Sequence, residues 1–430
     1  MKRMRLPRPF TIALGKAARG LTRLRGGSGS AFPGLVAERI DPGFLAAVLA
    51  QLPRGVVVIS GTNGKTTTTK MVVELLRGQG LRVFTNRSGS NFTRGVVASM
   101  LGEISPLGRL KADIAVLELD EAHAVHFVRA VNPQYSLLLN VMRDQLDRFG
   151  EIDSTAALLR TIAEHTSQGV VLNREDSRIA RIADALTTQE VRYFGLAPAL
   201  RTHFPSDDEL HGAEPAAAGA LPEADVLLTG LGTQQGTFRL GDEEITTDLT
   251  VNGAYNTYNA AAALALVRLV LGGTIDQEAL LDSLRRASPA FGRGESLTVG
   301  GQPLDLVLVK NPAGFRLGLS SFSAAGVATM IAINDNYADG RDMSWLWDVG
   351  FDSLAEGGVA MVSGVRSYDM ALRLSYDRVD IAAVEPDLGT ALEAFLAAHP
   401  QKPKRIFCTY TAMLALRQHL STYTEVEAFN

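Results

Sequence analysis

The sequence predicts an α/β protein built from two sheet units: a central parallel-sheet domain with a phosphate loop, and a smaller C-terminal Rossmann-like domain. Three observations carry that expectation. The apolar run Val56–Ile59 leads straight into a glycine bend and a helix start, "SGTNGKTTT"; short apolar runs alternate with helical patterns from Arg54 to about Ala156; and the alternation begins again at "LDLVLVKNP" and runs towards the end. Continuous apolar strands separated by helices mark a parallel sheet covered on both faces. At 430 residues the chain has room for two or three domains.

Residues 1–50 read as a basic arm and lead-in. The first 37 carry eight Lys or Arg and no acid before Glu38. "FTIAL" is too short an apolar centre for a secretory signal. No run approaches the ~20 apolar residues of a membrane span. Two readings stay open: a frayed, solvated terminus, or a surface that touches anionic lipid headgroups.

Residues 51–298 form the central domain. Its expected elements are "GVVVIS", a helix from Lys65 to about Arg77, "LRVFT", a helix near Val96, "ADIAVLEL", a helix after Glu121, "QYSLLLN" and a helix around Ala156. Residues 195–223, rich in Ala, Pro, Gly and Asp, read as an insertion or long loop. "ADVLLTG", "GTFRLG" and "EEITTDLT" follow as antiparallel strands, then helices near Ala254 and Gln277, and the turn-rich "ASPAFGRGES" closes the domain. Residues 299–430 make the second α/β domain, with no internal repeat.

Composition narrows the function. The net charge of -4 gives no ground for a general polyanion binder, so no nucleic acid is expected. The single cysteine, Cys408, cannot form an intrachain disulfide or build a thiolate zinc site alone, and it fits a reducing cytosol.

The bend itself points to a phosphate. Gly61 and Gly64 permit backbone conformations that larger residues resist, and a helix starting at Lys65 aims its N–H groups into the loop Gly61-Thr62-Asn63-Gly64-Lys65-Thr66-Thr67. Lys65 would reach the terminal phosphates and Thr66 would ligate magnesium. The spacing departs from the usual P-loop, because Ile59 stands where its first glycine would be. A magnesium carboxylate is expected at the carboxyl end of the neighbouring strand, with Glu118 the first choice and Glu121 the second. Asp120 to His123 spell DEAH, but no second motor domain or basic track accompanies them, so the helicase reading fails. His123 and His126 lack an evident third ligand, and an exposed helix face explains them better than zinc.

"GTNGKTTT" resembles the ATP loop of the Mur ligases and folylpolyglutamate synthases, and the order of further segments agrees. "LLLNVMRDQLDRFGE" resembles the Asn-to-Asp-Arg segment of that superfamily, "GAYNTYNAAAALA" its adenine-side motif with Asn256 and Asn259, and "FGRGES" the turn that brings Arg293 near the phosphates. From about Phe32 onward, "LVKNPAGF", "INDNYADGRDMSWLWD", "SGVRSYDMALRL" and "TYTAML" resemble the MurT branch, the ligase-like subunits of lipid II isoglutaminyl synthase. The resemblance implies a Mur-ligase-like fold and the use of ATP and Mg2+. It also implies a GatD-type glutamine amidotransferase partner that supplies ammonia, and amidation of the D-glutamate α-carboxylate in the stem peptide of lipid II. The expected location is the cytoplasm, with the basic N-terminal arm as the means of contact should the chain work at the inner face of the cell membrane. An aspartate of the last domain, Asp348 with Asp352 as fallback, would complete the partner's Cys-His pair.

Lys310, at the entry to the last domain, is expected to bring a second positive charge to the acyl phosphate. Asp335 sits where a loop would face the nucleotide, and the two tryptophans of "DMSWLWD" are expected at the contact with the amidotransferase. Three departures from the wider family matter. Gln145 stands at the place of a histidine, no lysine occurs between Lys111 and Lys310, and residues 195–223 hold no cysteine, so a second metal is in doubt and no zinc is expected. Two other classes remain open: a stand-alone amino-acid ligase and a nucleotide-binding regulatory subunit.

Overall fold

The structure is a computed structural model, and it describes residues 8–24, 31–86, 91–142, 152–206, 209, 221–232, 234–250, 253–273, 275–287, 293–321 and 326–426. Nine strands form the first sheet in the order β2-β3-β1-β4-β5-β6-β7-β8-β9. These are β1 (Val56–Ser60), β2 (Val83–Thr85), β3 (Ile114–Glu118), β4 (Tyr135–Leu138), β5 (Gly169–Asn173), β6 (Glu190–Leu196), β7 (Val226–Leu231), β8 (Gln235–Leu240) and β9 (Glu243–Asp248). All pairings from β2 to β7 are parallel, and β8 and β9 extend the sheet antiparallel.

Strand β1 explains why the opening apolar run has no polar interruption. Val57 and Ile59 join one core, beneath the helices Lys65–Gly78 and Ala254–Leu271, while Val56 and Val58 join the other, beneath Thr93–Glu103 and Glu121–Ala130. Both faces are dry, so both alternating sets are apolar. The sheet also uses β5 and β6, which the sequence reading passed over.

The stretch expected as a loop from residue 195 begins inside the sheet. Gly195 and Leu196 finish β6, and Phe204 is buried with its ring 4.9 Å from Tyr255 and 5.2 Å from Tyr258. Residues 207–208 and 210–220 of that stretch lie outside the described residues.

The arm is docked where it is described. Three helices, Arg8–Leu24, Ala31–Ile40 and Phe44–Leu49, lie on one flank of the first sheet, with Ile12, Ala37, Phe44 and Val48 in its core. Lys16 Nζ donates to the Ile104 carbonyl at 2.7 Å. A Cβ on Gly34 would come within 2.1 Å of the Arg94 carbonyl oxygen, so glycine is what lets these helices close. A frayed terminus is therefore the wrong picture for Arg8–Leu24; burial of Ile12 and Ala18 holds it.

The second sheet has the order β10-β11-β15-β12-β13-β14. Its strands are β10 (Arg293–Val299), β11 (Gln302–Leu308), β12 (Ala328–Ala332), β13 (Met361–Ser363), β14 (Val384–Glu385) and β15 (Lys404–Cys408). Only the β10–β11 pairing is antiparallel. β10 starts at Arg293, inside the turn-rich stretch, where Arg293 pairs with Val307.

Candidate active site

The glycine bend is braced by a residue that no motif in the sequence singles out. Gly61 and Gly64 have φ of 135° and 86°, both in the region that favours glycine. Asn140, just past β4, accepts from the Asn63 N–H at 2.8 Å and donates back to the Asn63 carbonyl at 3.1 Å, while its own carbonyl accepts from the Thr62 N–H at 3.0 Å. Thr62 Oγ1 accepts from the Met142 N–H at 3.1 Å. The loop is thus preorganised by paired backbone groups on one side.

On the other side stands Asn259. A Cβ on Gly64 would lie 2.5 Å from Asn259 Oδ1, so the glycine serves both its own φ and the approach of that amide. Asn256 and Asn259 project from the helix Ala254–Leu271 into a cleft that Asn63, Gly64, Thr67 and Asn140 also line.

Lys65 and Thr66 begin the helix Lys65–Gly78, and both are buried. Lys65 Nζ donates to the Gly61 carbonyl and forms an ion pair with Glu121 at 3.2 Å. Thr66 Oγ1 donates to Glu118 Oε1 at 2.8 Å. Asn86 fixes the end of β3, accepting from the Glu118 N–H and donating to its carbonyl, each at 2.9 Å. The two candidate carboxylates therefore take separate partners, Glu118 the hydroxyl and Glu121 the ammonium. Magnesium is commonly held by one or two protein oxygens plus phosphate and water, and the Thr66–Glu118 pair fits that demand.

The second sheet supplies the opposite wall. Lys310 Nζ donates to the Thr62 carbonyl at 3.2 Å, and Asn311 Nδ2 to Asn63 Oδ1 at 3.2 Å. Asn311 is fully buried and also accepts from the Gly314 N–H at 2.7 Å, at the start of the helix Pro312–Ser321. Leu317 and Gly318 of that helix face the same cleft. Asn311 went unselected because its partner lies 248 residues away.

Other expected residues lie elsewhere. Asp335 does not line the cleft, and its carboxylate is 3.7 Å from an Arg366 nitrogen. The backbone of Arg293 lies in β10, while its side chain and all of Gln145 lie outside the described residues. His123 and His126 are exposed, and among the described residues no group of three or more His, Cys, Asp or Glu could hold a metal.

Asp348 and Asp352 are both exposed, at the surface of the second domain. The turn that carries Asp348 is pinned from beneath: Arg316 donates to the Asp348 carbonyl, and Arg373 donates to the Val349 carbonyl at 2.6 Å and to Asp377 at 2.8 Å. The two tryptophans part company. Trp345 is core, whereas Trp347 is exposed, edge-on to Tyr376 at 5.1 Å and 5.6 Å from the Arg373 guanidinium.

The Mur ligase middle domain model matches residues 59–267, and the MurT ligase C-terminal model matches residues 308–413. The lipid II isoglutaminyl synthase (glutamine-hydrolyzing) subunit MurT of Streptococcus pneumoniae is 31% identical over 94% of this chain and 94% of its own. The chain belongs to the MurT family. The MurT subunit of Staphylococcus aureus (strain COL) is 28% identical over 87% of this chain and 89% of its own. Among solved structures, MurF ligase from Thermotoga maritima in complex with ADP superposes with a TM-score of 0.67 at 17% identity, covering 90% of this chain and 83% of that one. The Mur-ligase-like fold expected of a MurT-family chain is thereby established. Among the described residues, no helix is long and apolar enough to cross a membrane.

Proposed function

We propose that this chain is the ATP-dependent ligase subunit that amidates the α-carboxylate of D-glutamate in the stem peptide of lipid II, using ammonia from a GatD-type glutaminase. The observation that carries the reading is the identity with the Streptococcus pneumoniae MurT subunit across 94% of both chains. The cleft gives it a chemical basis.

A carboxylate is a poor electrophile because its leaving group would be oxide. Transfer of the γ-phosphoryl of ATP to that carboxylate releases ADP and leaves an acyl phosphate; ammonia then attacks the acyl carbon, phosphate departs, and the nitrogen loses a proton. Magnesium, held by Thr66 and Glu118, would neutralise charge on the transferring phosphoryl group. Lys65 and Lys310 approach the loop from opposite domains, and their ammonium groups would share the remaining charge. Asn256 and Asn259 would orient the nucleotide base. Asp348, exposed on a turn pinned by Arg316 and Arg373, is the group we assign to the partner's Cys-His pair, with Trp347 beside it as a contact residue. The work is done in the cytoplasm, at the inner face of the membrane that holds the substrate.

The test combines the purified chain with a GatD-type partner, ATP, glutamine and lipid II, and follows amidated product by mass spectrometry. Product is expected, and Lys65→Ala should abolish it. Product formed from an amino acid without any partner would instead make the chain a stand-alone ligase; nucleotide retention without product would make it a regulatory subunit.

A further inference from the structure

The helix Arg8–Leu24 turns its apolar side away from the protein. Phe10, Leu14 and Leu21 are 60%, 46% and 59% exposed, and with exposed Ala17 their spacing puts them on one stripe along about 17 Å of helix. The opposite side, which docks, buries one large apolar residue, Ile12, among small ones. Thr11 and Ala18 are buried, and Gly15 lies so close to Leu101 that a Cβ there would come within 2.7 Å. A globular helix ordinarily buries its broad apolar side and leaves the small or polar one outside. Here the order is reversed.

The patch continues beyond the helix. A Cβ on Gly108 would meet Ile12 at 3.6 Å, so the loop tip carrying Leu107, 85% exposed, lies against the helix. Exposed Arg109 and Lys111 follow it. The segment that includes this helix is rich in cations, with eight Lys or Arg and no acid in residues 1–37 of the sequence.

We infer that Arg8–Leu24, with Leu107, is an interfacial anchor that seats the protein on a bilayer containing anionic phospholipid. An exposed apolar stripe in a cation-rich segment matches a membrane surface, where rings and aliphatic chains enter the headgroup boundary and Lys or Arg meet phosphates. A second copy of this chain suits the ridge poorly, because it would bring the same cation excess face to face with itself. The inference rests on the proposed lipid-linked substrate, which such an anchor would present to the cleft from within the membrane plane.

The experiment uses the full chain in complex with its glutaminase partner. Wild type and the triple variant Phe10→Ser, Leu14→Ser, Leu21→Ser are sedimented with vesicles of phosphatidylcholine alone or with about 30% phosphatidylglycerol. Wild type is expected to sediment with the anionic vesicles, more weakly as salt rises, and the variant to bind them at least about tenfold less. Because the three side chains are exposed, the variant should keep its melting temperature, its complex and its turnover of a water-soluble stem peptide. Failure of wild type to bind anionic vesicles, or equal binding by the variant, overturns the anchor. So does a variant that retains vesicle binding but loses its partner, since the ridge would then be a protein contact. If vesicle binding behaves as expected while neither protein amidates the soluble peptide, the anchor stands and the proposed activity falls.

Discussion

The site of the first domain and the outer surface of the second are built in opposite ways. The first is a closed network: Lys65, Thr66, Glu118 and Glu121 are all buried, and each has a polar partner within the site. The second is open, with Tyr337, Trp347, Tyr368 and Tyr376 exposed on the domain that carries Asp335 and Asp348. Phosphoryl transfer needs charges placed in advance and shielded from water, so that they act at full strength. A docking face needs side chains free to meet a partner on a backbone that does not move. Arg316 and Arg373 provide that backbone by holding two consecutive carbonyls, Asp348 and Val349.

That contrast can be broken most decisively by asking whether damage to one spares the other. Lys65→Ala is expected to lower amidation by about a thousandfold or more, whether glutamine or ammonia supplies the nitrogen, in a single-turnover assay. Asp348→Asn should lower glutamine-dependent amidation by about a hundredfold and leave the ammonia-dependent rate within about twofold. Equal loss with both nitrogen sources would place Asp348 in the ligase chemistry and dissolve the distinction.

Two further changes sharpen it. Gly64→Ala brings a Cβ to 2.5 Å from Asn259 at a φ of 86°, and should weaken nucleotide binding by about tenfold in calorimetry. Adding Asn259→Ala removes the collision but not the strain, so only part of the loss should return. On the open face, Trp347→Ala should cost about 2 kcal/mol of affinity for the glutaminase, measured by surface plasmon resonance, while ATP binding stays unchanged.

The smallest effect concerns acid stability of the first sheet. Hydrogen bonds from Arg82 hold the Asp113 carboxyl down at about 2, below its ordinary 3.8. A depressed folded value means the pair stabilises the protein above about pH 4 and loses that contribution as pH falls from 3.8 towards 2. The gap in melting temperature between wild type and Asp113→Asn should therefore be small at pH 6 and close by pH 2.

The glycine bend and its helix start were legible because their residues are contiguous: two glycines, a lysine and a threonine carry the pattern within seven positions. Asn256 and Asn259 came from the family resemblance, since nothing in their spacing alone distinguishes a nucleotide contact from a helix bridge. Strands β5 and β6 escaped because the apolar part of each is short. Asp335 shows a different limit. Its place after a strand of the second sheet suggested the nucleotide, yet the direction of a loop side chain depends on neighbours such as Arg366, which the primary structure does not reveal. The inverted helix at the start was half visible. Its charge excess could be counted, but which side faced outward depended on Leu101 receiving Gly15 and on the Ile104 carbonyl receiving Lys16.

Lys310 and Asn311 reach the loop from 248 residues downstream. During synthesis the ribosome therefore releases a phosphate-gripping bend long before its far wall exists. The wall arrives on the same unit that bears Asp348, so a truncated or unfinished polypeptide lacks both the second ammonium and the aspartate at once. On the proposed function, fuel consumption and ammonia supply would in this way be tied to completion of one late-made module.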